Sequence, residues 1–141
     1  MRLLSSMVVA CGLLVIVAHA EEKKNDKDAL QGSWMAVSGT EDGKAMAADK
    51  IKDAVVTFKG DKLVLKHGGQ ESEHTFKIDS SKNPKEMDVD FDGKPGRGIY
   101  ELKGDTLRVA HGAMPDSPRP KNFESKEGSG VVVVEFKREK K

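Results

Sequence analysis

Beyond residue 32 the chain alternates. Apolar and polar side chains trade places in short runs, and glycine, proline or aspartate interrupts each run. A period of two is the mark of strands with one dry and one wet face. Strand one is expected over Ser33–Ser38, with Trp34, Ala36 and Ser38 on one face and Met35 and Val37 on the other. Ala54–Lys59 follows, with Val56 and Phe58 sharing a face, and then Lys62–His67, with Leu63, Leu65 and His67 aligned. Ser72–Asp79 groups His74, Phe76 and Ile78. The cleanest alternation lies in Lys85–Asp92, where Met87, Val89 and Phe91 oppose Asp88, Asp90 and Asp92. Gly98–Lys103 and Thr106–His111 continue the series, and Val131–Arg138 ends it with four consecutive valines.

The connections fit this reading. Gly60-Asp61 and Gly104-Asp105 predict tight hairpins. Gly68–Glu71 reads as a polar loop, and Glu41–Lys44, Ser80–Pro84 and Gly93–Gly96 read as turns. Ala45–Lys52 is expected to form a short helix, and Asp28–Gln31 one helical turn capped by Asp28. Gly112–Gly130 is a long connection rich in Pro, Ser and Lys. The string Lys59-Gly60-Asp61-x-Leu63 returns 44 residues later as Lys103-Gly104-Asp105-x-Leu107. Two copies fall short of a repeat array and indicate one hairpin type used twice. The expected fold is all-β: a small antiparallel up-and-down barrel of about eight strands, closed because closure removes exposed edges. Alternating strand directions would place both Gly-Asp hairpins, Trp34 and Arg138 at a closed end. The Glu41–Lys50 connection, the loop after His67, the Gly93 turn and the long connection would fringe a mouth.

Composition adds a compartment. Met1-Arg2, an apolar run from Leu3 to Ala18 and the Ala18-His19-Ala20 site have the anatomy of a secretory signal peptide spanning residues 1–20. The run is shorter than the ~20 residues a spanning helix needs. Val8-Val9-Ala10-Cys11 offers a lipoprotein alternative, but Leu13–Val17 would then stand where a polar tether is expected. A charged leader, Glu21–Lys27, precedes a domain over residues 28–138 and a charged tail over 139–141. Cleavage after Ala20 sends the protein to the periplasm or the cell exterior. It also removes Cys11, the single cysteine, so no internal disulfide is expected. Without Arg2, 23 basic residues balance 23 acidic ones. That even surface argues against a nucleic-acid binder.

Three groups of residues carry a resemblance. They are Leu30-Gln31-Gly32-Ser33-Trp34; Pro84-Lys85 with Gly98-Ile99-Tyr100-Glu101-Leu102 and Gly104-Asp105-Thr106-Leu107; and Arg119-Pro120 with Phe123. In this order the set resembles the lipocalin-like domain of unknown function that is abundant in planctomycete proteomes, over about Asp28 to Arg138. The resemblance implies a lipocalin-like barrel, usually in exported proteins, with no established activity. Members often carry a cysteine near the position of Ala110, so any role of that thiol is missing here. Tyr100, within the Gly98–Leu102 group, is expected to be structural. The wider lipocalin pattern implies structural roles for Gly32 and Trp34, and for a late arginine stacked on the tryptophan. Arg138 is the candidate, with Lys137 the alternative. Such stacking contributes on the order of 1 kcal/mol.

Candidate chemistry is sparse. His67, His74 and His111 share parity with apolar residues at the mouth end of their strands. They would either converge on a metal or anionic ligand or face solvent at separate points of the rim; no metal-ligand spacing links them. Asp88-x-Asp90-x-Asp92-Gly93 opens like a calcium loop, but Ile99 stands where the bidentate Glu belongs. Asp79 and Asp88 could form an acid pair, although outward carboxylates on strands are ordinary. No phosphate loop or nucleophile elbow is present. Arg119 and Phe123 form either a lid, with Phe123 folded over the opening and Arg119 holding an anionic head group, or an anchor, with Phe123 packed into the barrel and Arg119 capping a carbonyl or pairing with a carboxylate; the anchor is the favoured reading. The expected function is a non-catalytic binding module for a small apolar or amphipathic molecule, with no cofactor. The alternative is a structural or protein-interaction domain with a side-chain-filled barrel, and an enzyme is the third class. Phe58, Leu63, Leu65, Phe76, Ile78, Met87, Val89, Phe91, Leu107 and Val109 would nearly fill a small barrel, which argues against a roomy cavity.

Overall fold

The computed structural model describes residues 25–139, so the expected signal peptide and most of the charged leader lie outside the described residues. A one-turn helix, α1 (Asp26–Leu30), leads into β1 (Gly32–Glu41). The two-residue β2 (Lys44–Ala45) and the short α2 (Ala48–Ile51) follow. Then come β3 (Val55–Lys59), β4 (Lys62–His67), β5 (Gln70–Asp79), β6 (Lys85–Phe91), β7 (Lys94–Lys103), β8 (Thr106–Gly112) and β9 (Val131–Arg138). Every pairing is antiparallel, sequential strands from β3 onward are neighbours, and β1 pairs with both β3 and β9. The sheet therefore closes into the expected eight-stranded barrel, with β2 a small flap on β1.

Several boundaries differ from expectation, each for a local reason. The cap of α1 is Asn25, whose side chain accepts from the Asp28 amide at 3.0 Å, not Asp28 itself. β1 runs on to Glu41 through a bulge between Ala36 and Ser38. The extra residue flips the parity beyond it. Ser38 lies opposite Glu135 on the outer face, and Gly39 takes the inner position opposite Val134. The expected helix over Ala45–Lys52 shrinks to Ala48–Ile51, because Ala47 is extended (ψ 146°) and supplies no side-chain cap. Asp92-Gly93 alone makes the β6–β7 turn, both residues having positive φ (55° and 92°). Lys94–Gly96 therefore belong to β7 and not to the turn. Gly68-Gly69 do the same for β4–β5, so Gln70 and Glu71 are already strand.

The inner faces supply one core: Leu30, Trp34, Phe58, Leu63, Phe76, Met87, Tyr100, Leu107 and Phe136 are buried and packed together. Phe58 and Phe76 meet edge to face with ring centres 4.9 Å apart.

Candidate functional site

The closed end comes first because it defines the open one. Trp34 is fully buried, and its indole Nε1 donates to the Leu30 carbonyl at 2.9 Å. The Arg138 guanidinium lies 4.3 Å from the ring centre, as the resemblance implied. Its nitrogens donate to the Ala29 carbonyl (2.8 Å), the Gln31 carbonyl (3.1 Å) and Asp105 Oδ1 (3.1 Å). The Gln31 side chain accepts from the Gly60 amide at 2.7 Å and donates to the Gly60 carbonyl at 3.1 Å. Helix α1, both Gly-Asp hairpins and the last strand are thus fastened together beneath the indole. Gly32 adopts φ 118°, which only glycine holds without strain, at the turn from helix into strand.

A polar knot completes this floor. Asp26 Oδ2 accepts from Lys85 Nζ and from the Tyr100 hydroxyl, both at 2.8 Å. Burial pushes the Asp26 carboxyl up, but the Lys85 and Tyr100 hydrogen bonds outweigh it and hold the group below the usual carboxylate range. Burial and the hydrogen bond to Asp26 together raise the Tyr100 hydroxyl well above its ordinary value, so it stays a donor. Asp26 belongs to the expected charged leader, yet it is tied into the fold. Its partners lie 59 and 74 residues away, and nothing local in the sequence announces them.

Above the floor is an open cavity of about 350 Å³. Alternation builds its wall. β6 contributes Met87, Val89 and Phe91, β8 contributes Leu107, Val109 and His111, and β9 contributes Val134 and Phe136. Leu63 and Leu65 of β4 and Val56 and Phe58 of β3 complete the far side. Ala113, Met114 and Pro115 form a lip at the mouth, with Met114 71% exposed. The expectation of a nearly filled barrel is corrected here. Two inner positions of β7 are Gly96 and Gly98, and they contribute no side-chain volume. A Cβ on Gly96 would collide with the Phe91 ring, and one on Gly98 would lie 2.9 Å from the Ala110 carbonyl oxygen. Gly98 already opened the expected strand Gly98–Lys103, but Gly96 was legible as an inward position only with the strand begun at Lys94, which the turn reading of Gly93–Gly96 hid.

The candidate site residues do not assemble as one group. His111 lines the cavity at its mouth. His74 packs against Phe91 with ring centres 4.8 Å apart and planes tilted by 59°, and its Nε2 pairs with Ser72 Oγ at 3.0 Å. His67 is exposed at the end of β4. Parity alone does not make neighbours around a barrel, and among the described residues no three His, Cys, Asp or Glu side chains are grouped to hold a metal. Asp90 and Asp88 are engaged elsewhere: Asp90 Oδ1 accepts from the Gly93 amide at 2.6 Å, and Asp88 Oδ1 meets Arg119 Nη1 at 2.7 Å.

Arg119 lies on the outer wall, not over the mouth. It donates to the Gly98 carbonyl at 2.9 Å, and its Nε lies 3.7 Å from Glu86 Oε1. The bond to Asp88 raises its already high pKa further. Phe123 also lies outside, under the Arg108 guanidinium at 4.3 Å, and does not pack into the barrel as the anchor reading expected. With Ser38, Thr40, Ser125 and Glu135 it borders a shallow polar recess. Beyond the lip, residues 116–130 therefore run as a strap across the barrel exterior. The outward side chains of Ile99 and Ala110 are buried (1% and 0% exposed), as is Pro120 of the strap. The geometry is that of an anchored strap and not of a lid.

Among the described residues, no helix is long and apolar enough to cross a membrane. No family model, curated protein or solved structure matches the chain.

Proposed function

We propose that the protein is an exported, non-catalytic, lipocalin-like domain that holds a small apolar or amphipathic molecule in the mouth of its barrel. One observation carries this reading: an apolar cavity of about 350 Å³, open above a hydrogen-bonded floor. Ligand pockets commonly measure roughly 300–1,000 Å³ and favour barrel mouths, so the occupant is small. Burying about 250 Å² of apolar ligand surface would contribute on the order of 6 kcal/mol, partly offset by lost freedom. Weak to micromolar binding is the expected range. The lining includes one imidazole and no carboxylate, hydroxyl or amine side chain, which supports a carrier over an enzyme. Export rests on the Met1–Ala20 segment.

Binding of phenylnaphthylamine, a neutral dye that fluoresces in apolar surroundings, tests the reading. Saturable one-to-one binding is expected, with at least a tenfold loss in Val109→Phe at a native melting temperature. A folded protein that leaves the dye dark, or a filled variant that binds as well, would contradict it.

The second reading, a protein-interaction domain, draws on Met35 and Val37, which are 45% and 44% exposed on β1. A protein recovered with the native chain, in place of a small molecule, would favour it.

A further inference from the structure

Carbon makes up nearly all of the cavity wall, and that isolates its one exception. Of the lining side chains, only His111 carries a nitrogen or oxygen. It ends β8 on the same face as Leu107 and Val109, so its ring joins the wall at the mouth. Its Nδ1 lies 2.7 Å from the Gly112 carbonyl oxygen. A carbonyl only accepts, so Nδ1 carries the proton of the neutral ring and Nε2 is left as an acceptor. No protein group among the described residues bonds that Nε2.

The charges around the mouth narrow the ligand further. Among the described residues, no lysine or arginine lines the cavity. Arg97, between Gly96 and Gly98, faces outward opposite Asp88. Its Nη1 lies 3.4 Å from both Asp116 Oδ1 and the Ser117 carbonyl. A carboxylate entering here would lose water and meet no cation, which is costly. A hydroxyl has what the wall can use: it donates to Nε2 while its chain lies against carbon.

We propose that His111 is the specificity-determining residue of this cavity, and that the ligand class is a neutral aliphatic molecule ending in one hydroxyl group. The inference rests on the cavity being a ligand site, as above, and adds which chemistry it selects.

Competition against bound phenylnaphthylamine tests it, with decanol, decanoate and methyl nonyl ether, the isomer of decanol that lacks a donor. Decanol is expected to bind about fivefold tighter than the ether, the effect of one hydrogen bond, and more tightly still than decanoate. In His111→Leu, whose fold is read from retained dye binding, alcohol and ether should compete equally. In the unaltered protein, decanol should move the His111 imidazole nitrogen resonances and the ether should not, a readout that needs no variant. Decanoate matching decanol, His111→Leu keeping the alcohol preference, or unmoved imidazole resonances would each overturn the proposal. Failure of the dye to bind at all sinks the cavity reading and this one together. Dye binding without the alcohol preference sinks this one alone.

Discussion

A single indole and a single guanidinium hold the closed end. Arg138 reaches Ala29, Gln31 and Asp105 while stacking on Trp34, so four parts of the chain share one side chain. Removing the indole should leave a void, an orphaned Leu30 carbonyl and an arginine with nothing beneath it. Trp34→Ala is expected to cost about 3–5 kcal/mol, a large share of the roughly 5–15 kcal/mol a small domain has. Urea unfolding followed by circular dichroism measures this; a loss under about 1 kcal/mol would show that the ring is not the plug. Much of this was readable in advance. Alternating strand directions put the lone tryptophan and Arg138 at one end, and the lipocalin resemblance implied that an arginine there stacks on the ring. The Asp26–Lys85–Tyr100 knot was not readable, because a charged leader gives no sign of which aspartate turns inward.

At the scale of elements, the strap over residues 116–130 decides what most of the long connection does. A Pro-rich loop at a barrel mouth suggests a lid as readily as an anchor. Arg119 settles the geometry by binding the Gly98 carbonyl and the Asp88 carboxylate on the outer wall. Arg119→Ala should therefore lower stability by about 1–2 kcal/mol, discounted for partial exposure, and leave dye affinity within about twofold. Thermal melting and dye titration of the same sample check both halves. Unchanged melting with lost affinity would restore the lid. β7 shows why strand limits were harder to read than strand existence. Lys94-Pro95-Gly96 has the composition of a turn, yet Asp92-Gly93 already completes one, and the neighbouring strands hold the rest in register. The β1 bulge likewise moves Ser38 outward and Gly39 inward, a one-residue shift that no alternation pattern can announce.

For the whole molecule, closure follows from the order of the strands. From β3 onward each pairs with the next, and β1 joins both β3 and β9, so that no long edge remains among the described residues. The same closure separates a tied floor from an open apolar cavity, and the functional reading depends on that polarity. Most inward positions were legible from the alternation. Their total volume was not, because one of them, Gly96, stood in the expected turn and another, Gly98, brings no side chain. Amide chemical-shift mapping of the domain during titration with phenylnaphthylamine tests the polarity most directly. Shifts are expected at Leu65, Val89, Val109, Ala113 and Met114, with the Trp34 indole and Leu30 unmoved. Shifts centred on α1 and the two Gly-Asp hairpins, or scattered over the outer wall, would contradict it.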